Sequence, residues 1–356
     1  MSTRVEIFLK TLRREGIQNK IPVDFELCES QVDNFYKIFG HRDYPSYFGQ
    51  LHRPVEVNVA KNFVEGRDLF PREELPESTE FDVFGVGHSK GSELAYHMTR
   101  MHHPLKGAGL LEIESFPYPS IARDAIELIN QEISQLHGQD LAAYAKMQMT
   151  IWESAWYMRS MEELMMDMLM EDEKAMTLLD KITDFACKKA EVYARAGADV
   201  LGLGDDIGTQ NTIMIDKDLW KRWLQPRLKK VIDTAREIKP DILVFYHSCG
   251  YITPFIDDLI NTGIDILNPV QPECMDFNEI HDEFGDRVSF WGTIGTQQLL
   301  PFGTAGEVYQ EVIKRLEKCR EKGGIVIGPT HLVEPEVPWE NLLAIKEAVN
   351  DFEEKG

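Results

Sequence analysis

Apolar and polar positions alternate in a regular rhythm from residue 199 to the end of the chain. Short apolar, β-rich runs end in polar residues, and a segment with helical spacing of apolar positions follows each run. The expected strands are residues 199–204, 242–246, 265–268, 288–291 and 324–328. The expected helices are residues 217–238, 254–261, 276–283, 305–322 and 339–352. This alternation predicts βα units around a parallel sheet.

The first half of the chain is less regular. Helices are expected at residues 4–15 and 173–196, and strands at residues 21–27 and 145–152. The stretch from about residue 28 to 139 is rich in Pro, Gly, aromatic and charged residues and shows no βα rhythm. We expect it to be an irregular extension and insertion that partly caps the barrel. The whole chain, 1–356, is then expected to form one α/β domain, a (β/α)8 TIM barrel.

Composition and charge narrow the function classes. A formal net charge of -22 disfavours nucleic acid as a partner, because phosphate binding relies on clustered Lys and Arg. No apolar run approaches the ~20 residues that a membrane span needs. The N-terminus has no continuous apolar core or cleavage site of a secretion signal. The five scattered cysteines suit a reducing compartment, so we expect a cytoplasmic protein without disulfides.

Polar residues follow almost every expected strand. In a (β/α)8 barrel the active site is built at the carboxyl ends of the strands. The residues just after the expected strands are Asp205, Asp206, His247, Cys249, Gln271, Glu273, Thr293, Gln297, Thr330 and His331. Nearly all can bind a metal, carry a proton or form hydrogen bonds, which indicates an enzyme rather than a passive scaffold.

His247 and Cys249 form a His-x-Cys pair at one of these strand ends. Residues two apart on an extended segment project to the same side, so the two side chains can share one metal ion. The alternative is a hydrogen-bonded histidine beside a thiol that packs as a small hydrophobe. His331 is the expected third ligand of a catalytic zinc, which needs three protein ligands and an open position. Alternatively, it is a loop histidine that orients a backbone carbonyl.

Carboxylates supply candidate proton carriers. For Glu153, within Thr150–Trp156, three interpretations are open: a metal ligand, an acid of raised pKa or a helix cap. For Asp205 the open interpretations are a proton acceptor, a substrate-binding group or the anchor of a helix. We expect Glu153 and Asp205 to be catalytic. The residues expected to bind substrate are Asp206, Gln210, Gln271, Trp291 and Thr293. The reserve metal ligands are Glu153, Gln271 and Cys274. The glycines do not match a P-loop or Rossmann fingerprint, and no serine nucleophile elbow is present.

Several longer segments carry a family resemblance. They are His103–Leu105, Ile151–Trp156, Gly204–Gln210, Phe245–Gly250, Asp265–Pro272, Phe290–Gln297 and residues 323–344. In these segments the chain resembles the uroporphyrinogen decarboxylase superfamily, and in particular its corrinoid-dependent methyltransferase branch. The resemblance implies a (β/α)8 barrel with a His-x-Cys zinc motif.

Two departures refine this resemblance. Decarboxylases of the superfamily have an arginine-rich first strand, whereas Ile21–Leu27 reads IPVDFEL. Thiol-methylating members usually have a cysteine where this chain has His331. A ligand set with one thiolate suits polarisation of an oxygen, and the chain is similar to the zinc-dependent methyltransferase I of anaerobic O-demethylase systems.

The implied reaction is methyl transfer from a small methylated substrate, expected to be methoxyaromatic, to the cob(I)alamin of a partner corrinoid protein. Zinc and the corrinoid are the implied cofactors. The alternatives are transfer from methylcobalamin to a thiol, metal-free decarboxylation of the uroporphyrinogen type, and a binding protein without chemistry. The direction of methyl transfer stays open.

Overall fold

The computed structural model of the protein describes residues 2–71, 73–90 and 99–355. Within these ranges the strands are β1 (His52–Val55), β2 (Val59–Ala60), β3 (Glu80–Phe81), β4 (Gly87–Lys90), β5 (Thr99–His102), β6 (Ser120–Ile121), β7 (Ala142–Lys146), β8 (Val200–Gly204), β9 (Leu243–His247), β10 (Ile266–Asn268), β11 (Ser289–Trp291) and β12 (Ile325–Val326).

The α-helices in the same ranges are α1 (Arg4–Leu12), α2 (Glu29–Phe39), α3 (Tyr44–Phe48), α4 (Leu110–Glu114), α5 (Arg123–Gly138), α6 (Trp152–Arg159), α7 (Met161–Leu169), α8 (Glu173–Ala196), α9 (Lys217–Trp223), α10 (Gln225–Ile238), α11 (Ile256–Thr262), α12 (Phe277–Phe284), α13 (Leu299–Phe302), α14 (Ala305–Lys318) and α15 (Trp339–Lys355). Short 3-10 helices lie at Gly66–Leu69 and Thr253–Phe255.

The central sheet is parallel and runs in the order β1-β7-β8-β9-β10-β11-β12. Helices connect its consecutive strands from β7 onward, as parallel pairing requires. All strand carboxyl ends therefore meet at one face. This curled sheet with surrounding helices confirms the predicted TIM-like (β/α)8 fold.

Residues 21–27 occupy the eighth position of the barrel. Val23 and Leu27 make parallel bridges to Ile327 and Val333, beyond β12. On its other side, Gln50 contacts this segment through its side chain, with Nε2 donating to the carbonyl of Phe25. At this position, isolated bridges and side-chain contacts replace the continuous hydrogen-bonded ladder that joins the other barrel strands.

Two hydrophobic cores stabilise the barrel. The larger core lies between the strands and the surrounding helices. The smaller one fills the barrel interior, where α1 packs against the amino ends of the strands. Phe8 of α1 stacks on His52, with ring centres 5.2 Å apart, and meets Trp291 edge-on at 5.7 Å. The amino end of the barrel is therefore plugged by α1.

The predicted strands from residue 199 onward are all present, with bounds shifted by one or two residues. Helix 173–196 has the predicted bounds, and α1 ends at Leu12 rather than at residue 15. The single helix predicted at 217–238 is wrong, because the chain forms α9 and then α10. Pro226, in the first turn of α10, has no N–H with which to continue the preceding helix.

Two predictions for the first half need correction. The strand predicted at 145–152 is β7, which begins at Ala142 and ends at Lys146, and α6 starts at Trp152. The stretch of about 28–139, predicted to be irregular, contains the barrel strand β1 and the helix α5. β1 is four residues long and includes Pro54, so it gave no alternating pattern to recognise.

None of the helices within the described ranges is long and apolar enough to cross a membrane.

Candidate functional site

The pairing of β8 with β9 sets the geometry of the carboxyl face. Gly204, the last residue of β8, pairs with His247, the last residue of β9. Asp206 lies two residues after Gly204, and Cys249 lies two residues after His247, so the two residues are neighbours across the strand pair. The backbone N–H of Cys249 donates to Oδ1 of Asp206 at 2.8 Å. This register therefore joins a carboxylate to the His-x-Cys pair.

Asp206, His247 and Cys249 form a candidate metal centre. One ligand atom from each lies within 4.8 Å of the others. Sγ of Cys249 is 3.5 Å from Nε2 of His247, which is 3.8 Å from Oδ1 of Asp206. Ligand atoms around a tetrahedral zinc lie roughly 3.3–3.6 Å apart, given bonds of about 2.0–2.3 Å. The spacing and the mixed sulfur, nitrogen and oxygen donors fit a zinc ion.

Asn268 fixes the orientation of the His247 ring. Its Oδ1 lies 2.6 Å from Nδ1 of His247, while its Nδ2 donates to the carbonyl of Trp291 at 2.7 Å. An amide oxygen only accepts, so Nδ1 carries the proton and the lone pair is on Nε2, next to Cys249. Metal-binding histidines commonly have such a partner.

Acidic groups crowd around the candidate metal centre. Burial, followed by the charges of Asp206 and Glu153, raises the pKa of the Cys249 thiol. Burial likewise raises the pKa of Glu153 to about 8, with contributions from Asp206 and Asp205. A bound cation would offset this accumulation of negative charge.

Glu153 is buried between two hydrogen-bond donors. Its Oε1 accepts from the hydroxyl of Tyr157 at 3.0 Å, and its Oε2 accepts from the backbone N–H of Asp206 at 3.0 Å. With a pKa near 8, the side chain holds a proton at neutral pH. This places a protonated carboxyl beside Asp206, as an acid catalyst requires.

Asp205 anchors a helix. Its carboxylate accepts backbone N–H groups of Ile151, at 3.1 Å, and Glu153, at 3.0 Å, so it caps the start of α6. Burial raises the pKa of Asp205 to about 7, although these hydrogen bonds act in the opposite direction. The sequence allowed an anchoring role or a catalytic one, and these contacts correspond to the anchoring role.

His331 lies across the site from His247, with ring centres 6.3 Å apart and planes tilted by 54°. It is exposed, and it stands outside the group whose ligand atoms lie within 4.8 Å of each other. Asp206, predicted to bind substrate, is in that group. The reserve ligand Cys274 is half-buried, and its charge contributes to the raised pKa of Cys249.

The remaining predicted residues are distributed around the site. Gln271 is buried and accepts from the N–H of Gly250 at 3.1 Å. Gln210 is exposed and lies with Gln271 and Cys249 in an outer cavity of about 540 Å³. Thr293 is fully buried and its N–H donates to the carbonyl of Gly328, so it supports the backbone. It does not line this outer cavity.

A central cavity of about 700 Å³ opens beside the candidate metal centre. Its walls include the aromatic residues Tyr144, Phe245 and Trp291, and it reaches both His247 and His331. The three aromatic ring centres lie 5.2–5.4 Å from one another. Of the predicted substrate-binding residues, Trp291 lies in this wall.

Sequence reasoning missed three residues of the site. Asn268 lies at the end of β10, in a segment with a family resemblance, so its position was a usable signal. Tyr157 follows Glu153 by one helical turn. Asp24, which also lines the central cavity, lies in the expected first strand, where the sequence interpretation considered the lack of arginine and not this carboxylate.

Comparisons with known proteins show a family by sequence and a similar fold by structure. A sequence profile of the uroporphyrinogen decarboxylase (URO-D) family matches residues 111–352. The chain is 27% identical over 175 residues to "Methylcobamide:CoM methyltransferase MtaA" of Methanosarcina barkeri, covering 49% of this chain and 48% of that protein. It is 26% identical over 187 residues to "Methylated-thiol--coenzyme M methyltransferase" of Methanosarcina mazei, covering 51% and 46%.

These matches span about half the length of the curated relatives. A solved "methyltransferase from Methanosarcina mazei" is similar over 99% of both chains, with a TM-score of 0.68 and 17% identity. At this identity, the likeness to the solved structure concerns the fold.

Proposed function

Since the chain belongs to the uroporphyrinogen decarboxylase (URO-D) family, we propose that it is a zinc-dependent, corrinoid-dependent methyltransferase. Its reaction transfers a methyl group from a methoxyaromatic substrate to the cob(I)alamin of a partner corrinoid protein. The observation that carries this proposal is the group Asp206, His247 and Cys249 at the mouth of an aromatic cavity. The methyltransferase names of the two Methanosarcina relatives support it.

In the proposed site, zinc is held by His247 and Cys249, with Asp206 or His331 completing the set. When bound there, zinc supplies Lewis acidity toward the oxygen that loses the methyl group. Asn268 keeps the Nε2 lone pair of His247 directed at the ion. Glu153 is the proposed source of the proton that the departing oxygen takes up, since burial raises the pKa of this carboxyl.

The aromatic walls of the central cavity favour a flat substrate. Tyr144, Phe245 and Trp291 are almost fully buried and hold one another in place, so the cavity is preformed. Preformed apolar pockets bind ligands with little ordering cost. A ring stacked in this cavity has access to the side of the candidate metal centre that His247 and His331 line.

The test supplies the zinc-loaded protein with free cob(I)alamin and a methoxyphenol. We expect the spectrum of methylcobalamin to develop while the corresponding dihydroxybenzene accumulates in equal amount. Cys249→Ser should abolish both signals, and Cys187→Ser, a matched change on α8, should leave them intact. Zinc-loaded protein that produces neither compound contradicts the proposal.

The relatives favour one second candidate, methyl transfer from methylcobalamin to a thiol, because both are named as coenzyme M methyltransferases. The same preparation given methylcobalamin and coenzyme M distinguishes the two. Loss of the methylcobalamin spectrum in that mixture, together with no turnover of methoxyphenols, replaces the proposed reaction by the thiol reaction.

A further inference from the structure

A half-buried carboxylate lies in the central cavity and is not used by the proposed metal chemistry. Asp24, in the eighth barrel position, lines this cavity together with Trp291 and His247. Its side chain is 30% exposed, although its neighbour His52 is only 3% exposed. The carboxylate is therefore held by the barrel interior while part of it faces the ligand space.

Three donors fix the Asp24 carboxylate. Oδ1 accepts from Nε2 of Gln50 at 2.6 Å and lies 3.2 Å from Nε2 of His52, and Oδ2 accepts from Nε1 of Trp291 at 2.8 Å. Burial alone would raise the pKa of Asp24, but His52, Trp291 and Gln50 together lower it below its usual value. The group is thus an anion of fixed orientation.

The Asp24 carboxylate has an acceptor position left for a ligand. A carboxylate offers about four lone-pair positions, two on each oxygen. Among the described residues, two donors address Oδ1 and one addresses Oδ2. One acceptor position on Oδ2 therefore remains, beside the indole of Trp291. It suits a single hydroxyl donor better than an ammonium group with several N–H bonds to satisfy.

The charges around the cavity also favour a neutral ligand. Three acidic side chains, Asp24, Glu26 and Glu132, and two basic ones, Arg53 and Lys146, line it. Glu26 and Lys146 pair with each other at 2.8 Å. Arg53 donates to the carbonyls of Gln50 and His52, and is thereby occupied. No strong excess of either sign is available to hold a polyanion or a polycation.

We propose that Asp24 recognises a free hydroxyl on the ring of the methylated substrate, so that the enzyme acts on methoxyphenols in preference to fully alkylated or unsubstituted methoxyarenes. This inference rests on the proposed function and adds the substrate class. The aromatic walls place the ring, and the open position on Oδ2 selects the hydroxyl. A site built around a fixed, half-buried acceptor discriminates between ligands, because a ligand without the donor leaves that acceptor unpaired inside the cavity.

Calorimetric titration of the zinc-loaded full chain, without corrinoid, tests this recognition separately from turnover. The probes are the 2-, 3- and 4-isomers of methoxyphenol, each compared with methoxybenzene. We expect at least one isomer to bind on the order of 10-fold or more tighter than methoxybenzene, as hydrogen bonds to charged groups imply. Asp24→Asn should remove that preference, because its amide brings donors toward those of Trp291 and Gln50. Asp33→Asn, which changes a carboxylate of α2 outside the cavity lining, should retain it.

The outcomes separate the two proposals. Equal binding of methoxyphenols and methoxybenzene by the wild type overturns the role of Asp24 and leaves the proposed function standing, whatever the stability of the variant. A preference that persists in correctly folded Asp24→Asn also overturns it. Failure of every methoxyarene to bind the zinc-loaded wild type counts against the aromatic substrate itself, and the inference falls with it.

Discussion

His331 differs from the other candidate ligands in its exposure. It lies in the loop after β12 and faces His247 across the mouth of the central cavity. Two imidazoles on one tetrahedral ion have ring centres roughly 5 Å apart, given Zn–N bonds of about 2.0 Å. The observed 6.3 Å is about 1 Å longer than this spacing.

Replacement of His331 tests whether it tunes the metal for oxygen chemistry. His331→Cys should still bind zinc, because thiolate is a competent ligand, but a second thiolate weakens Lewis acidity. We expect loss of methoxyarene demethylation by about 10²-fold to 10³-fold, the usual effect of removing one stabiliser of a leaving oxyanion. His41→Cys, a matched change at an exposed site on the same chain, should have no effect. Unchanged activity in His331→Cys would make His331 a loop residue only.

The raised pKa of Glu153 predicts how pH affects the stability of the metal-free protein. Its folded-state pKa of about 8 exceeds the usual value of 4.5, so between these values the folded state holds a proton that the unfolded chain releases. The stability contributed by this group is therefore lost as pH rises through that window. Glu153→Gln should gain in melting temperature relative to the wild type between pH 6 and roughly pH 9.

Thermal unfolding of chelator-treated protein across this pH range is the measurement. Glu162→Gln, an exposed neighbour at the start of α7, supplies the control and should track the wild type. A melting temperature difference between wild type and Glu153→Gln that stays constant with pH would show that Glu153 is not protonated in the folded state.

The sequence predicts some of these residues better than others. His247 and Cys249 lie on one strand end, and strand periodicity alone places them on the same side. Asp206 joins them because of the register between β8 and β9, which no single-strand pattern contains. The assignment of Asp205 was ambiguous in sequence because a cap and a catalytic acid need the same carboxylate.

At the scale of elements, α6 and α7 depend on a buried arginine. Nη1 of Arg159 donates to the carbonyls of Leu105 and Ala108, at 2.6 and 2.9 Å, and Nε donates to Asp167 at 3.0 Å. The side chain therefore ties the loop before α4 to the helices that follow β7. Glu153 and Tyr157 lie on the same helix, α6, so the site depends on this connection.

Arg159→Leu should destabilise the protein, because it removes the buried donor shared by the carbonyls of Leu105 and Ala108 and the carboxylate of Asp167. Asp167 keeps its ion pair with Lys174, so the expected cost is about 1–3 kcal/mol, as for a buried group that loses its donor. Arg195→Leu removes an exposed pair with Glu191 and should cost about 1 kcal/mol or less. Thermal unfolding followed by circular dichroism compares the two variants. Equal melting temperatures would show that the Arg159 contacts contribute little.

Elements are predictable where burial is regular. β8 to β12 are almost completely buried and are followed by amphipathic helices, so their apolar runs stand out. β1 and residues 21–27 contain Pro and charged residues, and their place in the barrel depends on pairing with distant segments. The pattern of one segment cannot report such long-range pairing.

At the scale of the whole molecule, the barrel has a plugged amino end and an open carboxyl face. α1 seals the interior with Phe8, while the carboxyl face collects the candidate metal centre, Glu153 and the aromatic cavity. The sequence predicted the fold and this face from the order of strands and helices. The cavity, with Asp24 at its wall, arises from segments far apart in the chain, and its shape required the structure.

The central claim is that His247 and Cys249 hold a catalytic zinc ion, with Asp206 or His331 completing the set, and zinc content tests it most directly. Elemental analysis should find about one zinc per chain in the purified wild type and in the control Cys187→Ser. His247→Ala and Cys249→Ser should lose most of it, and Asp206→Ala should bind it more weakly. Full zinc occupancy in both His247→Ala and Cys249→Ser, with the fold intact, would contradict the account.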